Sequence, residues 1–338
     1  MARNYLICVI LSLSLCVVFS CKAKEAPLEQ ESEQITGEER EQKIEDEKPV
    51  LEDPITESGD VQASYQIQRP LSDILSGLSG TLPAFGVNLS EIDIANRGMD
   101  QYLISFLAGE QFYKAGNYDS AIAEYTASIN SNGGFIETLI SRGNAWLKKG
   151  EYSRAIDDYT RSIRLDSGRA ETYNYRGYAR YERGEVNLAI EDYSRAISLN
   201  SNYTDALINR SHALYEIGEY DRVIEDCSRI IALEPGNAYI WNRRGSAWYG
   251  KEDDDRAIRD FTEAIRLRGN YALAWHNRGN AWYNKGEYDK ALADLNRTLA
   301  LNPSFADAYI SRANILIKLG NNESAEADFA AAKRIGNN

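Results

Sequence analysis

From residue 102 onward the chain repeats itself every 34 residues, seven times over, without an insertion or deletion. A small residue recurs at Ala121, Ala155, Ala189, Val223, Ala257, Ala291 and Ala325. A glycine recurs earlier in the unit, at Gly109, Gly143, Gly177, Gly245 and Gly279, with Ser211 and Ala313 standing in. A second recurs at Gly116, Gly150, Gly184, Gly218, Gly286 and Gly320, and is replaced by Glu252 in the fifth unit. A fixed period of this length means one supersecondary unit stacked on copies of itself. The units run 102–135, 136–169, 170–203, 204–237, 238–271, 272–305 and 306–338.

Spacing makes each unit two helices. In the sixth, Trp275, Arg278 and Trp282 fall at i, i+3 and i+7, one face of a helix that Gly286 ends. Ala291, Leu295, Thr298 and Leu299 make the apolar face of a second helix, which Pro303 stops. Neither helix can bury its face alone, so neighbouring units must share one continuous core. The order aromatic, glycine, aromatic, alanine, aromatic, alanine, proline resembles the tetratricopeptide repeat family. It is met by Trp275, Gly279, Trp282, Ala291 and Pro303, with Leu295 and Thr298 in the last aromatic and alanine positions. The resemblance covers residues 102–338 and implies an all-α fold, a right-handed superhelical solenoid of seven helix-turn-helix repeats.

Charges recur inside the repeat. An arginine stands three residues beyond each first-helix aromatic position, at Arg142, Arg176, Arg210, Arg244, Arg278 and Arg312, while the first unit has Ala108. An acid stands one residue before each second-helix aromatic position, at Glu124, Asp158, Asp192, Asp226, Asp260, Asp294 and Asp328. The arginines fall on the core-facing side, where an unpaired guanidinium is costly. The expectation is a structural ladder of bidentate pairs in which each arginine reaches back to the acid of the preceding unit. Glu124 would pair with Arg142, Asp158 with Arg176, Asp192 with Arg210, Asp226 with Arg244, Asp260 with Arg278 and Asp294 with Arg312. That register would explain why the first unit needs no arginine and would leave Asp328 free. Arg180, in an aromatic position of the third unit, has no account at this level.

The net charge of −13 is uneven, with fourteen acids and five bases in residues 22–60. Ahead of them, "MARNYLICVILSLSLCVVFSC" has one positive charge, Arg3. An uncharged stretch from Tyr5 to Phe19 follows, as long as a signal-peptide core and short for a membrane span. Val18-Phe19-Ser20-Cys21 resembles the bacterial lipobox, with Phe19 bulkier than that motif usually allows. The resemblance implies removal of residues 1–20 and lipidation of Cys21; the alternatives are an ordinary secretory signal cut nearby or an uncleaved anchor. Each exports the protein, and the first anchors it by lipid to a bacterial envelope membrane, with its folded part in the periplasm or at the cell surface. Residues 21–70, rich in Glu, Gln, Lys and Pro, read as a disordered acidic tether with a mean span of ~40 Å. Residues 71–101 hold no helical period beyond two turns and read as a partly ordered segment docked on the first helix. Cys8 and Cys16 leave with the signal, so Cys227 remains in "DCSRII" as a buried, inert thiol where a small apolar residue is expected.

No basic stripe is present to neutralise a phosphate backbone, and the acidic segment would repel one, so nucleic acid is not an expected partner. No arrangement of nucleophile, base and orienting group appears, nor a phosphate-cradling glycine loop, so the chain reads as non-enzymatic and without a cofactor. The family's ligand groove is the concave face lined by first helices. The resemblance places Tyr113, Asn144, Asn174, Tyr178, Tyr181, His212, Tyr215, Asn242, Arg243, Tyr249, His276, Asn280 and Tyr283 there. Tyrosine offers rigid contact area with a polar tip, and asparagine can pair with an extended peptide backbone; family habit alone would also put tyrosine there. Some family members clamp C-terminal carboxylates with lysines, asparagines and an arginine. Only Asn209 and Arg243 are in register for that, with Tyr178 and Tyr239 where Asn and Lys belong, which argues against the mode. His212 and His276 stand two units apart, on the order of 20 Å, too far to share a metal ion; groove contact or plain exposure is expected for both. "KEDDDR", 251–256, reads as a solvated turn.

The expected role is a membrane-anchored adaptor that binds a peptide or partner-protein segment in the cell envelope. The alternative is small-ligand delivery or sensing beside a membrane transporter. Self-association through the last helix, "ESAEADFAAAKRI", is weighed against a monomer in which that helix caps the stack.

Overall fold

The computed structural model describes residues 100–336. Residues 1–99, on which the expected signal, the lipidation of Cys21, the expected tether and most of the expected docking segment fall, lie outside the described residues.

Seven antiparallel helical pairs follow one another. They are α1 (Gln101–Lys114) with α2 (Tyr118–Ser131), α3 (Ile136–Lys148) with α4 (Tyr152–Leu165), and α5 (Ala170–Glu182) with α6 (Val186–Leu199). Next come α7 (Thr204–Glu216) with α8 (Tyr220–Leu233), α9 (Ala238–Gly250) with α10 (Asp254–Leu267), α11 (Ala272–Asn284) with α12 (Tyr288–Leu301), and α13 (Ala306–Lys318) with α14 (Asn322–Gly336). No strand occurs among the described residues, and none of their helices is long and apolar enough to cross a membrane.

The turn within each pair has one design. In the second unit the Glu151 N–H donates to the Trp146 carbonyl at 2.9 Å. The same bond recurs in every unit, from Asn117 to Phe112 in the first to Asn321 to Leu316 in the last. This closure satisfies carbonyls at the helix end and needs a left-handed residue just before the donor. Glycine supplies it in six units, and Glu252 takes it in the fifth with φ of 62°. The turn lies at the surface as expected, and two of its acids make local contacts. Asp253 accepts from the Arg256 N–H at 3.0 Å, and Asp255 pairs with Lys285 of the next unit.

The other recurring glycine sets how closely a pair packs. A Cβ on Gly143 would stand 2.6 Å from the Tyr159 ring, so the ring lies where only glycine leaves room. The fourth unit reverses both sizes, with Ser211 in the glycine position and Cys227 in the ring position, each wholly buried. Cys227 is buried as expected. Its small size answers Ser211, since the same position holds Tyr125, Tyr159, Tyr193 and Phe261 in other units.

Each second helix also packs on the first helix of the next unit, so the core runs unbroken along the stack. First helices touch each other as well, α1 with α3, α3 with α5, α5 with α7, α9 with α11 and α11 with α13, whereas no two second helices approach to that extent. The row therefore bends with first helices on its inner side.

The arginine ladder exists, but its register corrects the one expected. Each arginine grips the acid of its own unit, sixteen residues further on: Arg142 with Asp158, Arg176 with Asp192, Arg210 with Asp226, Arg244 with Asp260, Arg278 with Asp294 and Arg312 with Asp328. All six are bidentate through Nε and Nη2, at 2.7–2.9 Å. Asp328 is thus engaged, and Glu124 has no ladder arginine in its own unit, where Ala108 occupies that position.

The link across units is made by the third nitrogen. Nη1 donates to Thr126, Thr160, Ser194, Ser228 or Thr262 of the unit before, and in Arg312 to the Asn296 Oδ1 at 2.6 Å. The two end units of the described stack depart from the ladder: the first carries Ala108 in the arginine position and the last carries Ala330 in the hydroxyl position. Arg180 also finds its account, as a second guanidinium on Asp192 at 2.8 Å. Indole faces cover two of the ladder arginines, Trp241 over Arg244 at 4.8 Å and Trp275 over Arg278 at 4.9 Å. At Asp226 burial outweighs Arg210 and holds the carboxyl above its ordinary range. Pairing there offsets desolvation and fixes register more than it adds stability.

Candidate partner-binding face

The inner side is built by one first-helix position that faces back toward the preceding unit. It carries Ser141, Tyr175, Asn209, Arg243, Asn277 and Ser311, one residue before each ladder arginine. Ser141 donates to Glu110 at 2.7 Å, Asn209 to the Asn174 Oδ1 at 3.0 Å, and Asn277 to the Asn242 Oδ1 at 3.2 Å. Ser311 meets the His276 Nε2 at 3.2 Å. The result is a polar seam that joins first helix to first helix.

This seam revises the expected groove. Asn144, Asn174, Asn242 and Asn280 are buried and bond within the protein; Asn144 accepts from the Tyr159 hydroxyl at 2.6 Å. His276 was expected at the surface but is 1% exposed, tilted against Phe305 at 4.8 Å. Burial holds its imidazole down, at about 4. Asparagine side chains on an inner helix face serve the neighbouring helix first, because a buried amide must be paired before it can be offered to a ligand. Tyr113, Tyr178, Tyr181, His212, Tyr249 and Tyr283 remain half-buried and line the accessible part of this face, while Tyr215 is 8% exposed. No edge-on display of free amides survives.

Arg243 stands apart. Among the described residues it is the largest wholly buried side chain, at 1% exposed, and no carboxylate of theirs pairs with it. Its Nη1 donates to the Tyr239 hydroxyl at 2.8 Å, and that hydroxyl bonds the His212 Nε2 at 2.5 Å. The Tyr215 and Tyr239 rings lie 5.8 and 6.0 Å from its guanidinium carbon, and its Nε has no hydrogen-bond partner. The Tyr215 hydroxyl, the His276 Nδ1 and the Asn277 Oδ1 are likewise buried without a partner. Burial together with the Arg243 charge holds the His212 imidazole well below its ordinary range. The cluster spans α7 and α9, and the Arg243 charge reaches the Cys227 thiol of the unit before. The family resemblance had placed Arg243, Tyr215 and His212 on this face. Tyr239 was noted only as a departure from the carboxylate clamp, and the recurrence of the polar position through six consecutive units was missed.

Stacked hairpins, joined by an arginine ladder on one side and a polar seam on the other, define a helical-repeat solenoid. Family models described as tetratricopeptide or TPR repeats match residues 106–170, 177–218, 208–272, 272–305 and 306–335, and the chain belongs to the tetratricopeptide repeat family. Among solved structures, a tetratricopeptide repeat protein from Parabacteroides merdae is 19% identical over 70% of this chain and 94% of that one, with a TM-score of 0.57. YrrB, described as a TPR protein with an unusual peptide-binding site, is 19% identical over 55% of this chain and 95% of its own, with a TM-score of 0.50. The MamA protein is 28% identical over 51% of this chain and 94% of its own, with a TM-score of 0.49. No curated protein matches the chain.

Proposed function

We propose that this protein is a non-enzymatic adaptor, exported and held to a bacterial envelope membrane by lipid on Cys21, that grips an extended acidic segment of a partner protein along its inner face. Arg243 carries the reading. Six other arginines each hold a carboxylate in two bonds, while the most buried arginine among the described residues bonds, among them, a tyrosine hydroxyl and no carboxylate. A guanidinium taken out of water without a counter-charge costs several kcal/mol, and a ligand that supplies the carboxylate recovers much of it. The partner's acid would displace Tyr239 from Nη1, with the half-buried Tyr178, Tyr181, Tyr249 and Tyr283 gripping the chain on either side. A peptide-binding site on YrrB, which shares the fold, agrees with such use.

The test is in-cell crosslinking from a photoreactive residue at Tyr181, with Arg243→Gln as comparison. The expected result is one dominant captured segment rich in Asp or Glu, lost in Arg243→Gln although that variant folds. A captured lipid or small molecule, with no protein, would replace this reading by the delivery role.

A further inference from the structure

Three residues depart from the repeat at one junction of the stack. Cys227 stands where the first three units carry tyrosine, Tyr239 where the other units carry Leu, Glu or Asp, and Arg243 where no other unit carries a charge. The departures are connected through the phenol that Cys227 lacks. In the first unit the Tyr125 hydroxyl passes Gly109 and donates to Glu110 at 2.7 Å, and in the second Tyr159 passes Gly143 and donates to Asn144 at 2.6 Å. The ring needs that glycine, since a Cβ on Gly109, Gly143 or Gly177 would stand 2.5, 2.6 or 2.7 Å from it. His212 holds the position of Glu110 and Asn144 in the fourth unit. Ser211 and Cys227, both wholly buried, take the places of the glycine and the ring there, so His212 receives no phenol from its own second helix.

The phenol comes from the next unit instead. The Tyr239 hydroxyl bonds the His212 Nε2 at 2.5 Å, with the two rings stacked at 5.9 Å between centroids, and the Arg243 Nη1 donates to the same hydroxyl at 2.8 Å. The Arg243 charge also acts on the Cys227 thiol, which places the guanidinium beside the missing ring. A tyrosine at 227 would project beyond the thiol toward His212, into space that Arg243 borders, and would offer His212 the bond that Tyr239 makes.

We propose that Ser211 and Cys227 are the positioning residues of the Arg243 site: by withholding the phenol that the first and second units supply, they leave His212 to recruit Tyr239 from the next unit, and Tyr239 holds the buried guanidinium. The pair, and not a difference in backbone, selects which junction of the stack receives an acid. That last step rests on the reading that Arg243 meets a partner's carboxylate; the relay from Cys227 to Arg243 does not.

Ser211→Gly with Cys227→Tyr gives the fourth unit the packing of Gly143 on Tyr159 and tests this. Tyr239→Phe strips the hydroxyl from His212 and Arg243, so it should lower the urea midpoint of the natural chain. In the double variant it should lose most of that effect, because His212 then has a phenol from its own unit. Cys227→Ala keeps the space open and should leave the effect of Tyr239→Phe whole. An effect of equal size in the double variant, loss of the effect in Cys227→Ala, or a double variant that does not fold would overturn the proposal. No ligand takes part in these measurements, so their failure and a failure of the adaptor reading are told apart.

Discussion

Arg210 donates from Nε and Nη2 to both carboxylate oxygens of Asp226, at 2.9 and 2.7 Å, while its Nη1 reaches Ser194 of the preceding unit at 3.0 Å. One side chain thus closes its own hairpin and ties that hairpin to its neighbour. Because the acid is wholly buried, removing it strands a cation. Asp226→Ala should cost about 3–5 kcal/mol, and Ser194→Ala about 1 kcal/mol. Urea unfolding of single and double variants should show coupling between Arg210 and Asp226 well above that between Arg210 and Asp192.

Acid should loosen the inner seam. His276 is held at about 4 by burial, against 6.5 in the unfolded chain. Between those values the unfolded chain binds a proton that the folded one refuses. Stability is therefore full above about pH 6.5 and declines as pH falls toward 4, by on the order of 3 kcal/mol from this group. His212 acts in the same direction. Unfolding midpoints measured from pH 7 to 4 should fall, and His276→Asn should flatten part of the slope.

Glu252 occupies a left-handed position that glycine fills in the other six units. Glu252→Gly should raise stability by up to about 1 kcal/mol, because relief of the Cβ clash exceeds the entropy that glycine adds to the unfolded chain. A lower midpoint in thermal unfolding would show that the Glu252 side chain contributes something the backbone argument omits.

Cys227 is wholly buried and its thiol is pushed up to about 12 by burial, so it should resist alkylation in the native protein at neutral pH. Mass analysis after iodoacetamide should find residue 227 unmodified until denaturant opens the fourth unit.

The fold was legible because its period is a property of the residues themselves: Ala121 to Ala325 set the phase, and the turn glycines set the ends of the first helices. The ladder residues were legible too, since a recurring arginine among aromatics must be paired. Their register was not. Arg210 lies one helix away from both Asp192 and Asp226, and spacing cannot rank two acids at similar separation. The hydroxyls that settle the matter, Thr126 through Thr262, were visible as a recurring polar position two residues past each acid. The groove was the least legible. A position on the inner side says only which way a side chain starts, and whether Asn174 or His276 meets solvent depends on Asn209 and Ser311 of the next unit.

In the proposed function a partner's carboxylate pairs with the buried Arg243. Selection of a random peptide library against the purified chain, in parallel with Arg243→Gln, tests it most directly, with thermal unfolding confirming that both are folded. Enrichment of Asp, Glu or a free C-terminal carboxylate at one position, abolished in Arg243→Gln, is the predicted result. Enriched peptides without an acid, or acidic ones that bind Arg243→Gln equally well, would contradict it.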